Sequence, residues 1–289
     1  MRFCGRLFSQ DELTAIRSLI AANPQATRAA LSRIVCEYLN WRRIDGRLKD
    51  MTCRVAMLRM QDHNLIRLPA PRNTNINGKA HLYVTKQIPE FNPPLCIPAH
   101  AFGDLRIEPV QNKKHSLLWN EYVQKFHYLG HAPMPGDQIR YFVHWHDQVA
   151  ALLCFRSAVW KTAPRDQFIG WNYEQRKKNL HLVVNNARFL ILPWVDAPNL
   201  ASRILSMTQK RIAHDWMHCY QYAPVLIETF VETPRFLGTC YKAANWNLLG
   251  ITKGVGRLGN SHKPTLPQKN IWVYPLKKRF RQILCSNVQ

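Results

Sequence analysis

The chain has 289 residues, 46% of them hydrophobic, which is enough apolar material for a folded core and excludes a disordered or fibrous protein. Forty Lys and Arg against 18 Asp and Glu give a formal net charge of +22, beyond what solubility requires, so a polyanionic partner is expected. Eight cysteines without a C-x-x-C pair exclude a zinc ribbon and a secreted disulfide framework.

No run approaches the roughly 18 consecutive apolar residues of a membrane helix, and Met1 to Ser9 lacks the apolar stretch of a signal peptide. A cytoplasmic protein with no membrane contact is therefore expected. The positive charge is uneven. Glu232 is the last acidic residue, and ten Lys and Arg follow it unopposed between Arg235 and Arg281, a stretch suited to neutralising phosphates.

Ser9 followed by Glu12 is a capping box, and Leu13, Ile16, Leu19 and Ile20 repeat at helical spacing up to Asn23-Pro24. Thr27 opens a second helix whose Leu31, Ile34, Val35, Tyr38 and Leu39 form one apolar stripe. A third helix is expected from Asp50, with Met51, Val55 and Leu58 inward and Thr52, Arg54 and Arg59 outward. Leu65 to Pro69 reads as a wing strand. Three helices and a strand within residues 1–75 predict a winged helix-turn-helix, with the third helix in the major groove. Arg42, Arg43, Arg47 and Lys49 precede that helix as phosphate contacts, with Arg54 and Arg59 on it. A small helical accessory domain with a solvated basic face is the alternative.

Seven prolines between Pro69 and Pro109 mark a connection, so residues 76–112 are expected to form a proline-rich linker. The remainder, 113–289, reads as an α/β (α+β) domain with a mixed sheet and a basic C-terminal region. Its expected elements are a hairpin of Gln138–Trp145 and Gln148–Phe155, a charged helix over Asn172–Val183 and a strand over Arg188–Pro193. There follow a helix over Asn199–Asp215, a strand over Pro224–Val231, a short helix over Gly238–Trp246, and strands near 248–253 and 271–276. This order resembles the core of GNAT-type acyltransferases. The turn Pro193 to Asn199 has no glycine, whereas the acetyltransferase turn uses glycines to bring backbone N–H groups to a pyrophosphate, so no coenzyme A is expected.

Four longer motifs carry a second likeness: His127-Tyr128-Leu129-Gly130, Arg165-Asp166-Gln167-Phe168-Ile169-Gly170-Trp171, Asn185 to Pro193, and Glu228-Thr229-Phe230-Val231 ahead of Gly238 to Trp246. Over roughly residues 10 to 276 the chain resembles the DruA family, whose namesake belongs to the Druantia anti-phage defence system and whose relatives accompany mobile elements. Glu232 replaces an expected Asp, and Val255 stands where a basic residue is common. The resemblance implies a DNA-binding, DNA-processing protein with DNA, and other defence or mobile-element proteins, as partners. Metal-dependent strand cleavage or strand transfer is the expected activity. A non-catalytic DNA-structure recognition module and a GNAT-like acyltransferase are the alternatives.

Glu228 lies mid-strand on the face of Leu226 and Phe230, where a carboxylate is either a metal ligand or general base, or one half of a structural ion pair with Arg188. Asp166 and Glu228 could share Mg²⁺ or Mn²⁺, with Glu232 as a third carboxylate. Arg165-Asp166 could equally be a local salt bridge. Tyr241 could attack phosphorus or protonate a leaving group, or be a core tyrosine bonded to Glu228. Arg165, Trp171, Asn186, Arg188, Asn245 and Trp246 are candidate substrate contacts, and Trp160, Trp171 and Trp246 could stack bases. Lys253 and Arg257 join the DNA contacts. The pairs His144/His146 and His214/His218 lack a third metal ligand at a diagnostic spacing.

Overall fold

The computed structural model describes residues 1–71, 85, 87–88, 93–134, 136–255 and 266–286. Contacts divide the chain into two units, Met1–His81 and Leu82–Gln289. In the first, a hairpin of β1 (Arg2–Phe3) and β2 (Arg6–Leu7) precedes α1 (Gln10–Ala22), α2 (Arg28–Tyr38) and α3 (Asp50–Asp62). Both expected caps form. Ser9 Oγ accepts from Glu12 N at 3.1 Å while Glu12 Oε2 accepts from Ser9 N at 3.1 Å, and Thr27 Oγ1 accepts from Ala30 N. Leu13, Ile16, Leu31, Val35 and Trp41 build the core with residues of α3.

Two expectations for this unit are corrected. Cys53, Ala56, Met57 and Met60 form the buried stripe of α3, leaving Met51 and Val55 61% and 41% exposed. These positions satisfy i, i+3, i+4 and i+7, and Cys53 and Ala56 are small enough to let α3 lie close to α2. The segment Leu65–Leu68 is not a strand. It closes the core with buried Ile66 and Leu68, and side chains satisfy its backbone: Gln61 Oε1 accepts from Leu68 N, Arg17 Nε donates to Leu65 O, and Arg28 Nε donates to Pro69 O. With no second strand beside it among the described residues, three helices are present but a wing is not.

The second unit contains, in chain order, β3 (Leu95–Cys96), β4 (Leu105–Pro109), α4 (Lys113–Phe126), β5 (Gln138–Trp145), β6 (Gln148–Ser157), α5 (Ala163–Ile169), α6 (Tyr173–Asn179) and β7 (Val183–Ile191). It continues through β8 (Val195–Asp196), α7 (Leu200–Tyr220), β9 (Leu226–Glu232), α8 (Thr239–Ala243), β10 (Asn247–Ile251), β11 (Lys269–Pro275) and α9 (Phe280–Leu284). The stretch expected as a linker supplies two strands. In β4, buried Leu105 and Ile107 alternate with exposed Arg106 and Glu108 along an edge of the main sheet, and β3 pairs in parallel with β8. The charged helix ends at Asn179, so β7 begins at Val183, five residues before the expected strand.

The seven-stranded mixed sheet has the order β4-β5-β6-β7-β9-β11-β10. Only β7 and β9 are parallel neighbours; every other pairing is antiparallel. The apolar residues alternate between two faces, as the two-residue period of a strand dictates. On one face Val184, Phe155, Ile227 and Val231 meet Leu205, Ile212 and Trp216 of α7. On the other, Leu152, Cys154 and Leu190 meet Trp119 and Val123 of α4, while Leu226, Val183 and Val273 meet Ile169, Trp171, Phe280 and Leu284. No helix of the described residues is long and apolar enough to cross a membrane.

Candidate functional site

A parallel pair bonded along its whole length would close the middle of the sheet. Here β7 and β9 pair only from Val183↔Leu226 to Asn186↔Thr229, although both strands run on to Ile191 and Glu232. The β6–β7 register supplies a reason. It moves from Phe155↔Asn186 to Cys154↔Arg188, making Ala187 an extra residue, and such a bulge bends its strand and increases its twist. Past the bulge the strands part, and a cleft of about 630 Å³ opens between them.

Arg156, Arg188, Arg235 and Lys269 line this cleft, and Glu232 is the one carboxylate on its described wall. Arg188, Arg235 and Lys269 form no ion pair among the described residues. Arg188 Nη1 donates to Ala187 O at 2.8 Å, and the Arg235 guanidinium sits 4.7 Å from the centroid of the Tyr128 ring. Tyr128 stacks on His127 at 4.8 Å. Burial, followed by the charges of Arg188, Arg235 and Lys269, pushes His127 down to about 4, so the ring is neutral at physiological pH. Its Nδ1 accepts from Leu129 N at 3.2 Å, which puts the proton on Nε2 and makes that nitrogen a donor. Burial raises the Tyr128 hydroxyl, with Glu232 adding to the shift. The wall thus offers cations and neutral donors, the combination that receives an anion.

Tyr241 stands deeper, on α8. Its hydroxyl donates to Asn186 Oδ1 at 2.9 Å, Thr229 Oγ1 donates to Asn186 O at 2.9 Å, and Asn186 Nδ2 donates to Cys154 O and Arg188 O. Burial lifts the phenol well above the ordinary tyrosine value. A protonated phenol can donate a proton but is poorly prepared to attack phosphorus. Its partner is Asn186 rather than Glu228, which lies on the opposite face of β9 from Thr229.

Asp166 and Glu228 do come together, around an arginine. Arg165 is wholly buried: Nη1 donates to Glu228 Oε2 at 2.9 Å and to Val159 O at 2.7 Å, while Nη2 and Nε donate to Asp166 Oδ1 at 2.8 and 3.0 Å. Arg176 Nη1 takes Asp166 Oδ2 at 2.9 Å, Trp171 Nε1 donates to Asp166 Oδ1 at 3.0 Å, and Val159 N donates to Glu228 Oε1 at 2.9 Å. Every carboxylate oxygen therefore has a protein donor. Burial raises Glu228 against the pull of Arg165. The divalent-cation expectation is corrected on this ground: these oxygens are committed to guanidinium, indole and amide donors, and Glu232 lies apart, in the cleft. Among the described residues no three His, Cys, Asp or Glu side chains form a group that could hold a metal ion.

Other candidates are dispersed. Trp246 is 5% exposed and packs edge-on to Tyr241 at 5.1 Å, Trp171 is 7% exposed beneath Arg165, and Asn245 is exposed at the end of α8. Trp160 is half-exposed, with Arg176 lying 5.3 Å from its ring centroid. In the first unit, Asp45 pairs with Arg47 at 2.6 Å and Arg43 at 3.7 Å, and Asp50 pairs with Arg54 at 3.8 Å. Arg42 donates to Asn40 Oδ1 and Gly46 O, Lys49 is half-buried, and Arg59 is exposed. Lys253 is exposed beyond β10, and Arg257 lies outside the described residues. His144 approaches Glu108, and His146 sits in the turn beyond β5. His127, Tyr128, Arg156, Asn185, Thr229, Arg235 and Lys269 were not singled out from the sequence as site residues. Their shared signal, beyond the basic count after Glu232, is the Ala187 bulge, which leaves no compositional trace.

The sequence matches the protein family described as Druantia protein DruA over residues 60–263, well over half of the chain and including the whole bulge, β9 and α8. The chain belongs to the DruA family. No curated protein matches it. Among solved structures it is similar to the ribosomal-protein-S18-alanine N-acetyltransferase from Escherichia coli, at 8% identity over 60% of this chain and 94% of that one, with a TM-score of 0.35. An N-acetyltransferase from Staphylococcus aureus Mu50 shares 12% identity over 60% and 97%, with a TM-score of 0.36. The Microcin C7 self-immunity acetyltransferase MccE, in complex with acetyl-CoA and AMP, shares 7% over 48% and 61%, with a TM-score of 0.30. The expectation of no coenzyme A, which rested on the missing glycines alone, is withdrawn, the similar structures being acetyltransferases.

Proposed function

We propose that this chain is a DNA-binding component of anti-phage defence, and that it holds phosphate in the cleft between β7 and β9. One observation carries this: four basic side chains against a single carboxylate line an opening in the middle of the sheet. Arg156, Arg188 and Lys269 are half-buried and Arg235 is exposed, so these charges are reachable from solvent, and a cleft lined by one sign of charge draws in ligands of the other. Family membership supplies the defence context, and the net charge of +22 supplies the long-range attraction to a polyanion. Arg42, Lys49, Arg59 and Lys253 add surface positions for backbone phosphates, while the aspartate pairings of Arg43, Arg47 and Arg54 reduce what those three contribute. Proteins of the same defence or mobile-element system are the expected partners of the DNA-bound chain.

Binding of this kind releases counterions. Fluorescence anisotropy with labelled single-stranded and duplex DNA across a salt series is expected to give log–log slopes of about −0.7 and −0.9 per neutralised phosphate, respectively. Affinity that does not change with salt on either substrate would remove DNA binding from consideration.

A further inference from the structure

Most polar groups deep in the cleft answer one another: Tyr241 and Thr229 donate to Asn186, and Asn186 donates to Cys154 and Arg188. Asn185 Oδ1 stands outside this network. The residue lines the cleft, it is 8% exposed, and its Oδ1 has no hydrogen-bond partner among the described residues. A carboxamide oxygen only accepts, so phosphate oxygens cannot satisfy it; it needs an N–H or O–H brought by the occupant. The same occupant must carry negative charge for Arg188, Arg235 and Lys269. A volume of about 630 Å³ suits a molecule of nucleotide size and is far too small for a duplex.

We infer that the cleft takes one nucleoside phosphate, its phosphate on Arg188, Arg235 and Lys269 and a nucleobase N–H on Asn185 Oδ1. This rests on the proposal that the cleft holds phosphate and adds the base. Neutral His127, with its proton on Nε2, is a further donor on the same wall. The nucleoside phosphate can come from three sources: an unpaired nucleotide of a DNA strand, a free mononucleotide, or the nucleotide end of coenzyme A.

The test is calorimetry on the full chain with dAMP, deoxyadenosine, ribose 5-phosphate, coenzyme A and a short single strand. The dAMP is expected to bind at least about tenfold more tightly than either deoxyadenosine or ribose 5-phosphate, since each lacks one of the two charged or hydrogen-bonded anchors. Arg188→Gln should weaken dAMP and ribose 5-phosphate alike, whereas Asn185→Leu should weaken only dAMP. The ligand series on the unaltered protein decides the matter even where a variant misfolds. Binding of the strand or of coenzyme A in addition to dAMP supports the assignment and names the source. Equal binding of dAMP and ribose 5-phosphate overturns it, as does failure of dAMP to bind a protein whose DNA affinity is salt-dependent. In that last case DNA binding stands while the nucleotide site falls; dAMP binding with salt-insensitive DNA affinity gives the reverse.

Discussion

Arg165→Met keeps an unbranched, largely apolar chain in place of the buried arginine and removes all its donors. The native guanidinium makes contacts of 2.7 to 3.3 Å to Val159 O, Trp160 O, Asp166 Oδ1 and Glu228 Oε2 at zero exposure. Methionine leaves Glu228 with the Val159 amide alone and Asp166 with Arg176 and Trp171. Removing one partner of a buried ion pair costs about 3–5 kcal/mol, because the remaining charge stays desolvated. For a domain of roughly 150–250 residues each kcal/mol moves the melting midpoint by about 2–4 °C, so the expected fall is about 6–20 °C. Circular dichroism melts, with urea denaturation to check that the slope m is unchanged, measure it. Glu228→Gln should also lower the midpoint, and Arg165→Met combined with Glu228→Gln should cost less than the two changes added. A fall under about 2 °C in the single variants, or a rise on Glu228→Gln, would refute the assignment of Asp166 and Glu228 to a structural network.

Three further changes probe other parts of the molecule. His127 titrates near 4 in the folded chain against 6.5 in the unfolded one, so its contribution is full above pH 6.5 and is lost as pH falls through 4. That contribution is about 3 kcal/mol, and His127→Asn, compared with the native chain by denaturation at pH 7 and pH 4, should flatten the pH dependence by about this amount. Gly238 has φ +73°, and a Cβ there would meet Trp272 Nε1 at 2.8 Å, so Gly238→Ala should cost at least about 1–2 kcal/mol for the left-handed backbone alone, measurable by urea unfolding. Ser9→Ala removes half of the capping box of α1 and should cost about 1 kcal/mol, seen as faster amide exchange in the first turn of that helix.

Local chemistry was legible and long-range pairing was not. The Ser9 and Thr27 caps and the alternation of Gln138–Trp145 against Gln148–Phe155 depend on residues close in sequence, and each led to an element in its place. The third helix lies where expected but turned about its axis, because Met51 and Val55 are apolar while Cys53 and Ala56, the residues that pack, are small. Helix α4 had a readable signal, the Asn112 cap ahead of Trp119, Tyr122, Val123 and Phe126, which lay hidden behind the prolines before it. Helix α5 likewise has Pro164 in its first turn and left-handed Gly170 at its end, but at seven residues it is too short to show an apolar stripe. Of the residues expected at the site, Asn186, Arg188, Glu232 and Tyr241 line one cleft. Glu228, expected to pair with Arg188 or Tyr241, is not among them. Its partner, Arg165, stands 63 positions away, and the strand alternation that turns Glu228 away from Thr229 does not tell which face α8 and Tyr241 cover.

The most direct test of the cationic cleft is the salt slope of single-stranded DNA binding for Arg188→Gln/Arg235→Gln beside the native chain, with both shown to be folded by circular dichroism. If these two side chains neutralise strand phosphates, the slope should become shallower by about 0.7 for each, about 1.4 in all, and affinity at low salt should fall. A double variant that is folded and binds with the native slope and affinity would contradict the claim that the cleft is where this protein meets DNA.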